Sequence, residues 1–190
     1  MGKVIVVEFV TLDGIVEDPD GSGGMDGGGW AFHAGPDVFA GDKFALGPIM
    51  SSGVLLLGRS TWDMFAGRWP TRTGDFADAM NAATKVVVTS RPVELDAWSN
   101  SEVLEGELVD GVRRLAADRD VAMIGSMSVA HQLAAADAVD EYRLLTIPIA
   151  IGSGTPLFAM PTALRLTSIE STPVGVLAHY EPVPEPVAVR

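Results

Sequence analysis

The chain has 190 residues, a formal net charge of −12 and no cysteine. The charge would repel a nucleic-acid backbone, and the missing cysteines exclude thiolate catalysis, disulfides and cysteine-ligated metals. Hydrophobic residues make up 47% of the sequence, but they occur in strand-length runs that are too short to span a membrane. The composition predicts a compact soluble cytoplasmic protein without nucleic-acid or membrane partners, and the three scattered histidines indicate no metal site.

The domain organisation follows from the absence of a long polar linker. We predict one domain over residues 1–181. Residues 182–190 carry proline at every second position from 182 to 186, which is typical of an extended, poorly ordered tail.

The first half of the chain alternates strand and helix patterns. Residues 3–10 are rich in β-branched side chains and predict a buried strand. Residues 20–29 contain six glycines and predict a mobile loop, either a plain surface excursion or a lid over ligand. Helical spacing of apolar residues predicts a first helix over residues 36–50. Further strands are predicted at 53–58 and 85–89, and short helices at 60–65 and 76–83.

The second half continues the alternation and ends in strands. The predicted helices cover residues 108–119 and 129–136, and the predicted strands cover 121–124, 141–147, 164–167 and 175–180. Strands that alternate with helices predict an α/β fold with a mostly parallel sheet covered on both faces. The two late strands predict an antiparallel edge.

Three turns follow predicted parallel strands, at residues 58–61, 89–91 and 125–128. Ligands of such sheets gather at the carboxyl ends of the strands. The first and third turns place glycine and hydroxyl residues at a helix start, where backbone N–H groups receive phosphate oxygens. The second turn offers a guanidinium beside a hydroxyl, which suits a terminal phosphate. Each turn offers a group that an anionic dinucleotide needs, but each turn alone is better explained as ordinary helix capping.

The same turns resemble a known superfamily. Leu57-Gly58-Arg59-Ser60-Thr61-Trp62 resembles the Gly-Arg-x-Thr-Trp motif of the dihydrofolate reductase superfamily, and Val86 to Arg91 resembles its strand ending in Ser-Arg. Ile124-Gly125-Ser126 is similar to its Gly-Gly turn. The Asp13-Gly14 turn and residues 139–144 and 148–158 resemble the branch of riboflavin biosynthesis reductases, the RibD C-terminal domain. The resemblance runs from about residue 4 to about residue 180.

The resemblance implies a dihydrofolate reductase-like three-layer α/β/α fold with a central sheet of about eight strands, and NADPH as the cofactor. Residues 58–61 would lie at the adenosine-side phosphates, Ser90 and Arg91 at the 2′-phosphate, and residues 125–128 at the pyrophosphate. The implied cofactor-binding residues are Gly58, Arg59, Ser60, Thr61, Thr89, Ser90, Arg91, Ile124, Gly125, Ser126, Met127 and Ser128.

Two positions depart from the riboflavin-type pattern. The related enzymes carry an acidic residue where Ile124 stands, and a second glycine where Ser126 stands. These departures weaken the case for the pyrimidine reduction of riboflavin synthesis.

Asp42 is the candidate catalytic residue. Counted back from Gly58, it matches the carboxylic acid that holds the pterin and helps to protonate it in dihydrofolate reductases, with Asp37 as a second candidate. The alternatives are a solvated helix face for the carboxylate and water as the proton donor. Asp13 and Trp30 are predicted to contact substrate, although a turn and an apolar core would also explain them.

These observations predict an NADPH-dependent reductase of a small flat heterocyclic or carbonyl substrate, pterin-like or pyrimidine-like. A true dihydrofolate reductase is one alternative, and it requires a buried Asp42. A non-catalytic ligand-binding protein that retains the fold is the other. The apolar late strands and residues 139–151, with the sheet pairing of riboflavin-type relatives, predict a homodimer.

Overall fold

The structure is a computed structural model that describes residues 1–183. Its strands are β1 Val4–Thr11, β2 Val54–Gly58, β3 Thr84–Val88, β4 Ser101–Val103, β5 Val121–Ile124, β6 Glu141–Ile147, β7 Leu164–Thr172 and β8 Gly175–Pro182. They form one sheet in the order β4-β3-β2-β5-β1-β6-β8-β7. Strand β2 pairs in parallel with β3 and β5, whereas β8 pairs antiparallel with β6 and β7. The α/β fold with a mostly parallel sheet and an antiparallel edge is therefore confirmed.

The α-helices are α1 Gly47–Ser52, α2 Arg59–Ala66, α3 Asp75–Ala82, α4 Leu108–Leu115 and α5 Met127–Ala135. Two 3₁₀ helices cover Trp30–Ala34 and Leu95–Ala97. Helices α2, α3 and α5 agree with the predictions within two residues at each end, whereas α4 ends four residues early. Within residues 1–183, no helix is long and apolar enough to cross a membrane.

The helix predicted over residues 36–50 is wrong. Only α1, at the end of that range, is helical. Gly41 has a left-handed backbone with φ 72°, which interrupts a right-handed helix. The apolar side chains that suggested helical spacing form an aromatic cluster instead, in which the Phe9 ring lies 4.9 Å from Phe39 and 5.0 Å from Phe44 between centroids. Burial of aromatic rings, rather than helix periodicity, explains the pattern.

The described chain divides into two compact units. Residues 1–6 and 45–140 form the first unit, and the second comprises residues 7–44 and those from 141 onward. In the first unit, β2 is buried along its whole length and forms the centre of the core. The single domain over residues 1–181 stays a prediction. Pro182, assigned to the tail, ends β8 opposite Leu164, and residues 184–190 lie outside the described residues.

Strand β3 of the first unit carries a fully buried lysine. The Lys85 Nζ donates hydrogen bonds to the carbonyl oxygens of Met80 (3.2 Å) and Asn81 (2.8 Å), and it lies 4.4 Å from the centre of the Trp98 ring. Burial lowers the pKa of Lys85 to about 8. The amine satisfies carbonyl groups at the end of α3 and so ties that helix to β3, the strand that leads into the second of the three turns.

The glycine-rich loop of the second unit is organised by Asp18, a residue that the sequence analysis did not single out. Its carboxylate accepts hydrogen bonds from the backbone N–H groups of Gly23 (2.7 Å) and Met25 (3.0 Å), and its carbonyl oxygen accepts one from Gly29 (2.9 Å). The loop over residues 20–29 has no regular structure, as expected. Its role as a lid stays a prediction.

Candidate functional site

The register of the parallel strands brings the three turns to one edge of the first unit. Gly58, the last residue of β2, pairs with Val88, the last residue of β3. On the other side of β2, Leu56 pairs with Met123, so that β2 and β5 end within one residue of each other. The residues that follow these strands therefore meet at the carboxyl edge of the sheet, where ligands of parallel sheets bind.

The first and third turns touch through their glycines. The Gly58 N–H donates a hydrogen bond of 2.9 Å to the Gly125 carbonyl oxygen. A Cβ on Gly58 would lie 2.7 Å from the Ser126 Oγ, and a Cβ on Gly125 would lie 2.6 Å from the Thr61 Oγ1. Gly125 also has φ 52°, and the peptide bond after it is cis. Neither position has room for a side chain, so the close approach of the two turns requires both glycines.

Helices α2 and α5 begin at these two turns. Gly58 is the N-cap of α2 and Ser126 is the N-cap of α5, and no side chain caps either helix. The Ser126 hydroxyl is hydrogen-bonded to the Ser128 hydroxyl at 2.8 Å instead. Two adjacent helix starts thus keep backbone N–H groups and positive dipole ends that are suited to phosphate oxygens.

The remaining residues of these two turns surround the helix starts. Ser60 is exposed and Thr61 is half-buried on the first turn of α2. Ile124 ends β5 and Met127 begins α5, and both are half-buried. Ser128 is exposed. The predicted residues of both turns thus lie at the two helix starts, and their cofactor contacts stay a prediction.

The second turn presents a guanidinium. The Arg91 N–H donates to the Thr89 Oγ1 at 3.1 Å, and the same hydroxyl donates to the Arg91 carbonyl oxygen at 2.9 Å. Both Ser90 and Arg91 are exposed. Within residues 1–183, no hydrogen bond or ion pair engages the Arg91 guanidinium. The turn therefore carries a cation that is available to an anionic ligand.

Arg59 connects the first turn to the second. Its Nε donates to both carboxylate oxygens of Asp63, at 2.8 Å each, and its NH1 donates to the Pro92 carbonyl oxygen. The sequence analysis missed Asp63, although a carboxylate four residues after an arginine on one helix is a signal for such a pair. Arg59 thus links α2 to the residue that follows Arg91.

A cavity of about 420 Å³ lies beside Arg59 in the same unit. One face of α2 lines one side of it, and the segment after the second turn lines the other. Its lining residues are Arg59, Trp62, Asp63, Ala66, Gly67, Pro92, Val93, Glu94 and Ala97. The cavity is open to solvent and combines apolar side chains with charged groups beside the second turn.

Asp13, expected to contact substrate, holds two loops of the second unit together. Its carboxylate accepts hydrogen bonds from the Thr11 hydroxyl (2.6 Å) and from the backbone N–H groups of Gly152 (2.7 Å) and Ile151 (3.1 Å). The bonds from Thr11 and Gly152 lower the pKa of Asp13 below its usual value. These contacts explain the conformation of the turn by themselves, and the substrate contact of Asp13 stays a prediction.

Trp30 and Asp42 of the second unit differ in exposure. Trp30 is 3% exposed, and its Nε1 donates a hydrogen bond of 2.7 Å to the Glu17 carbonyl oxygen. Asp42 is not on a helix, contrary to the prediction, because the chain forms turns there. Its carboxylate is exposed and accepts a hydrogen bond from the Phe44 N–H at 3.3 Å. Asp37, the second candidate, is also exposed. Neither position provides the buried helical acid of a dihydrofolate reductase.

Comparison with known families identifies the chain. The model of the RibD C-terminal domain family matches residues 2–178, which include all three turns. The chain belongs to the RibD C-terminal domain family. The resemblance to the riboflavin biosynthesis reductase branch is therefore confirmed.

Solved structures agree with this RibD-type fold. A Shewanella sp. PV-4 protein provisionally named for riboflavin biosynthesis is similar with a TM-score of 0.70 and 20% identity, over 95% of this chain and 99% of that chain. A pyrimidine reductase-like protein from Corynebacterium diphtheriae is similar with a TM-score of 0.56 and 15% identity, over 97% of this chain and 93% of that chain. At these identities the similarity shows the fold. No curated protein matches the chain.

The contact between the first and third turns predicts a cost for any side chain at Gly58. In Gly58→Ala, the Cβ would also meet the Ser126 backbone nitrogen at 2.9 Å, so the turns must separate. We expect a loss of about 1–3 kcal/mol in unfolding free energy, measured by urea denaturation. Gly67→Ala is the matched control, because Gly67 ends the same helix with φ −75° and has neighbours no closer than 3.7 Å. Equal stability of the two variants would contradict the close approach.

Proposed function

We propose that this RibD-type chain is an NADPH-dependent reductase that transfers a hydride to a small flat heterocyclic or carbonyl substrate, pterin-like or pyrimidine-like. The observation that carries the proposal is the meeting of two uncapped helix starts with the available guanidinium of Arg91 at one sheet edge. Membership of the RibD C-terminal domain family supports an oxidoreductase that uses a nicotinamide cofactor. The pyrimidine-like part of the substrate class is taken by analogy from the name of a pyrimidine reductase-like protein with the same fold.

The residues present fit a dinucleotide phosphate. The N–H groups at the start of α5, over residues 125–128, would hold the pyrophosphate, and residues 58–61 would hold the adenosine-side phosphates. Ser90 and Arg91 would hold the 2′-phosphate through hydroxyl and guanidinium contacts. The cavity beside Arg59 leaves room for part of the adenosine end. The cofactor supplies the hydride when it is bound, and the chain supplies binding, orientation and exclusion of water.

The exposure of Asp42 affects the choice of proton donor and the comparison with the two alternative functions, a dihydrofolate reductase and a non-catalytic protein. A side chain that protonates a bound substrate must contact it in a site from which water is excluded, whereas Asp42 is exposed to solvent. Water is therefore the proposed donor, and the exposure of Asp42 disfavours a true dihydrofolate reductase. No feature of the described residues favours the non-catalytic alternative over the reductase.

The outer strand of the sheet supports a homodimer. Strand β7 is last in the strand order, and Leu166 and Ile169 on it are 51% and 66% exposed. Large apolar side chains on an edge strand are typical of a subunit interface. Light scattering at micromolar concentration should give about 40 kDa, twice the 20.0 kDa of one chain, and Ile169→Lys should give about 20 kDa. A mass of about 20 kDa for the unmodified chain would exclude the dimer.

Replacement of Arg91 by alanine tests the cofactor assignment. The guanidinium makes a charge-assisted contact with a 2′-phosphate that NADH cannot reciprocate, because NADH carries a hydroxyl at that position. We expect Arg91→Ala to weaken NADPH binding by about 10- to 100-fold and to leave NADH binding almost unchanged. Fluorescence titration of both cofactors measures the difference, which should shrink as salt is raised.

The control for this titration is Arg72→Ala, which removes an exposed arginine outside the three turns. It should leave both affinities near those of the unmodified chain. Equal small changes for the two cofactors in Arg91→Ala would mean that the guanidinium is merely solvated. An unmodified chain that binds NADH as tightly as NADPH would remove the 2′-phosphate assignment.

A further inference from the structure

The guanidinium of Arg59 is held at two of its three nitrogens. Its Nε contacts the Asp63 carboxylate, and its NH1 contacts the Pro92 carbonyl oxygen. Within the described chain, its NH2 makes no hydrogen bond. The side chain is thus fixed in orientation while one nitrogen remains able to donate to a ligand.

The Pro92 contact extends this constraint to the second turn. Pro92 follows Arg91 directly, and Thr89 closes the turn through both of its hydrogen bonds to Arg91. A guanidinium fixed on α2 therefore also restrains the backbone that presents Arg91. One connected set of contacts, which begins at Asp63, thus orients the Arg59 guanidinium and restrains the backbone of Arg91.

Folding stability does not account for this arrangement. The Arg59 and Asp63 side chains are 27% and 48% exposed, and ion pairs exposed to that extent contribute little to stability. A long flexible side chain that is already oriented, however, loses less conformational freedom when it binds an anion. A contact that contributes little to folding would therefore still lower the entropic cost of binding an anion.

We propose that Asp63 is a positioning residue for the phosphate site: through Arg59 it fixes a second cation, and the turn that carries Arg91, for recognition of a 2′-phosphate. This inference rests on the proposed function and names a residue that the function alone does not assign. The change in anion affinity expected on removal of the Asp63 carboxylate has a distinctive sign. By charge alone, removal of a carboxylate near the site would strengthen the binding of an anion, whereas loss of positioning weakens it.

The test compares 2′,5′-ADP with 5′-AMP as probes, by calorimetry on the full chain, since the two differ only in the 2′-phosphate. Asp63→Asn keeps the shape of the side chain and removes its charge. We expect it to weaken 2′,5′-ADP by about 3- to 10-fold and to weaken 5′-AMP, which lacks the 2′-phosphate, by less. Asp63→Glu keeps an arginine–carboxylate pair at the same helical spacing and should restore most of the affinity.

Three controls separate positioning from other effects. Asp110→Asn, which removes an exposed carboxylate from α4, should not weaken either probe. In an Arg59→Ala background, Asp63→Asn should cause no further loss of affinity for 2′,5′-ADP, because the arginine through which Asp63 acts is absent. The melting temperature of Asp63→Asn should stay within about 2 °C of the unmodified chain, as expected for loss of an exposed pair.

The outcomes distinguish this inference from the proposed function. Unchanged or tighter binding of 2′,5′-ADP by Asp63→Asn, in a chain that otherwise prefers it over 5′-AMP, overturns the role of Asp63 alone. A loss that persists in the Arg59→Ala background also overturns it, because Asp63 would then act by another route. An unmodified chain with no preference for 2′,5′-ADP overturns both the role of Asp63 and the NADPH assignment.

Discussion

The close approach of two glycine turns is the constraint on which the candidate site depends. Gly58 and Gly125 lie so near Ser126 and Thr61 that neither position can carry a Cβ. Because the turns touch, the starts of α2 and α5 lie side by side at the carboxyl edge of the sheet, and no side chain caps either of them. The strand register then adds the second turn. A phosphate-binding surface follows from backbone geometry before any charged side chain is considered.

The charged side chains refine this surface in a chain that is otherwise strongly acidic. With a net charge of −12, the molecule as a whole repels anions, so binding of a dinucleotide phosphate needs local positive charge. Arg91 and Arg59 provide it in different ways. The Arg91 guanidinium has no partner among the described residues, whereas Asp63 and the Pro92 carbonyl hold the guanidinium of Arg59 in place. Arg91 is thus available to a ligand, whereas Arg59 is already oriented. The sequence alone did not reveal this difference.

The sequence predicted those parts of the molecule that depend on local patterns. The buried strands were predicted because runs of apolar residues are typical of them. The three turns were predicted because glycine or hydroxyl residues follow those runs. The helix proposed to carry Asp42 failed because Phe39 and Phe44 are spaced like a helix face but pack onto Phe9. Strand β4, three residues long and mostly exposed, was missed because it has no apolar pattern. The contacts of Asp13, Asp18 and Asp63 depend on side-chain geometry that periodicity does not encode.

The central claim is that the three turns of the first unit together bind one dinucleotide. Hydrogen exchange measured by mass spectrometry, with and without saturating NADPH, tests it most directly because backbone N–H groups are the proposed donors. The account predicts slower exchange in peptides that cover residues 58–61, 89–91 and 125–128, with the largest change at the starts of α2 and α5. Slower exchange confined to other parts of the chain, or no change in these three peptides at saturation, would contradict it.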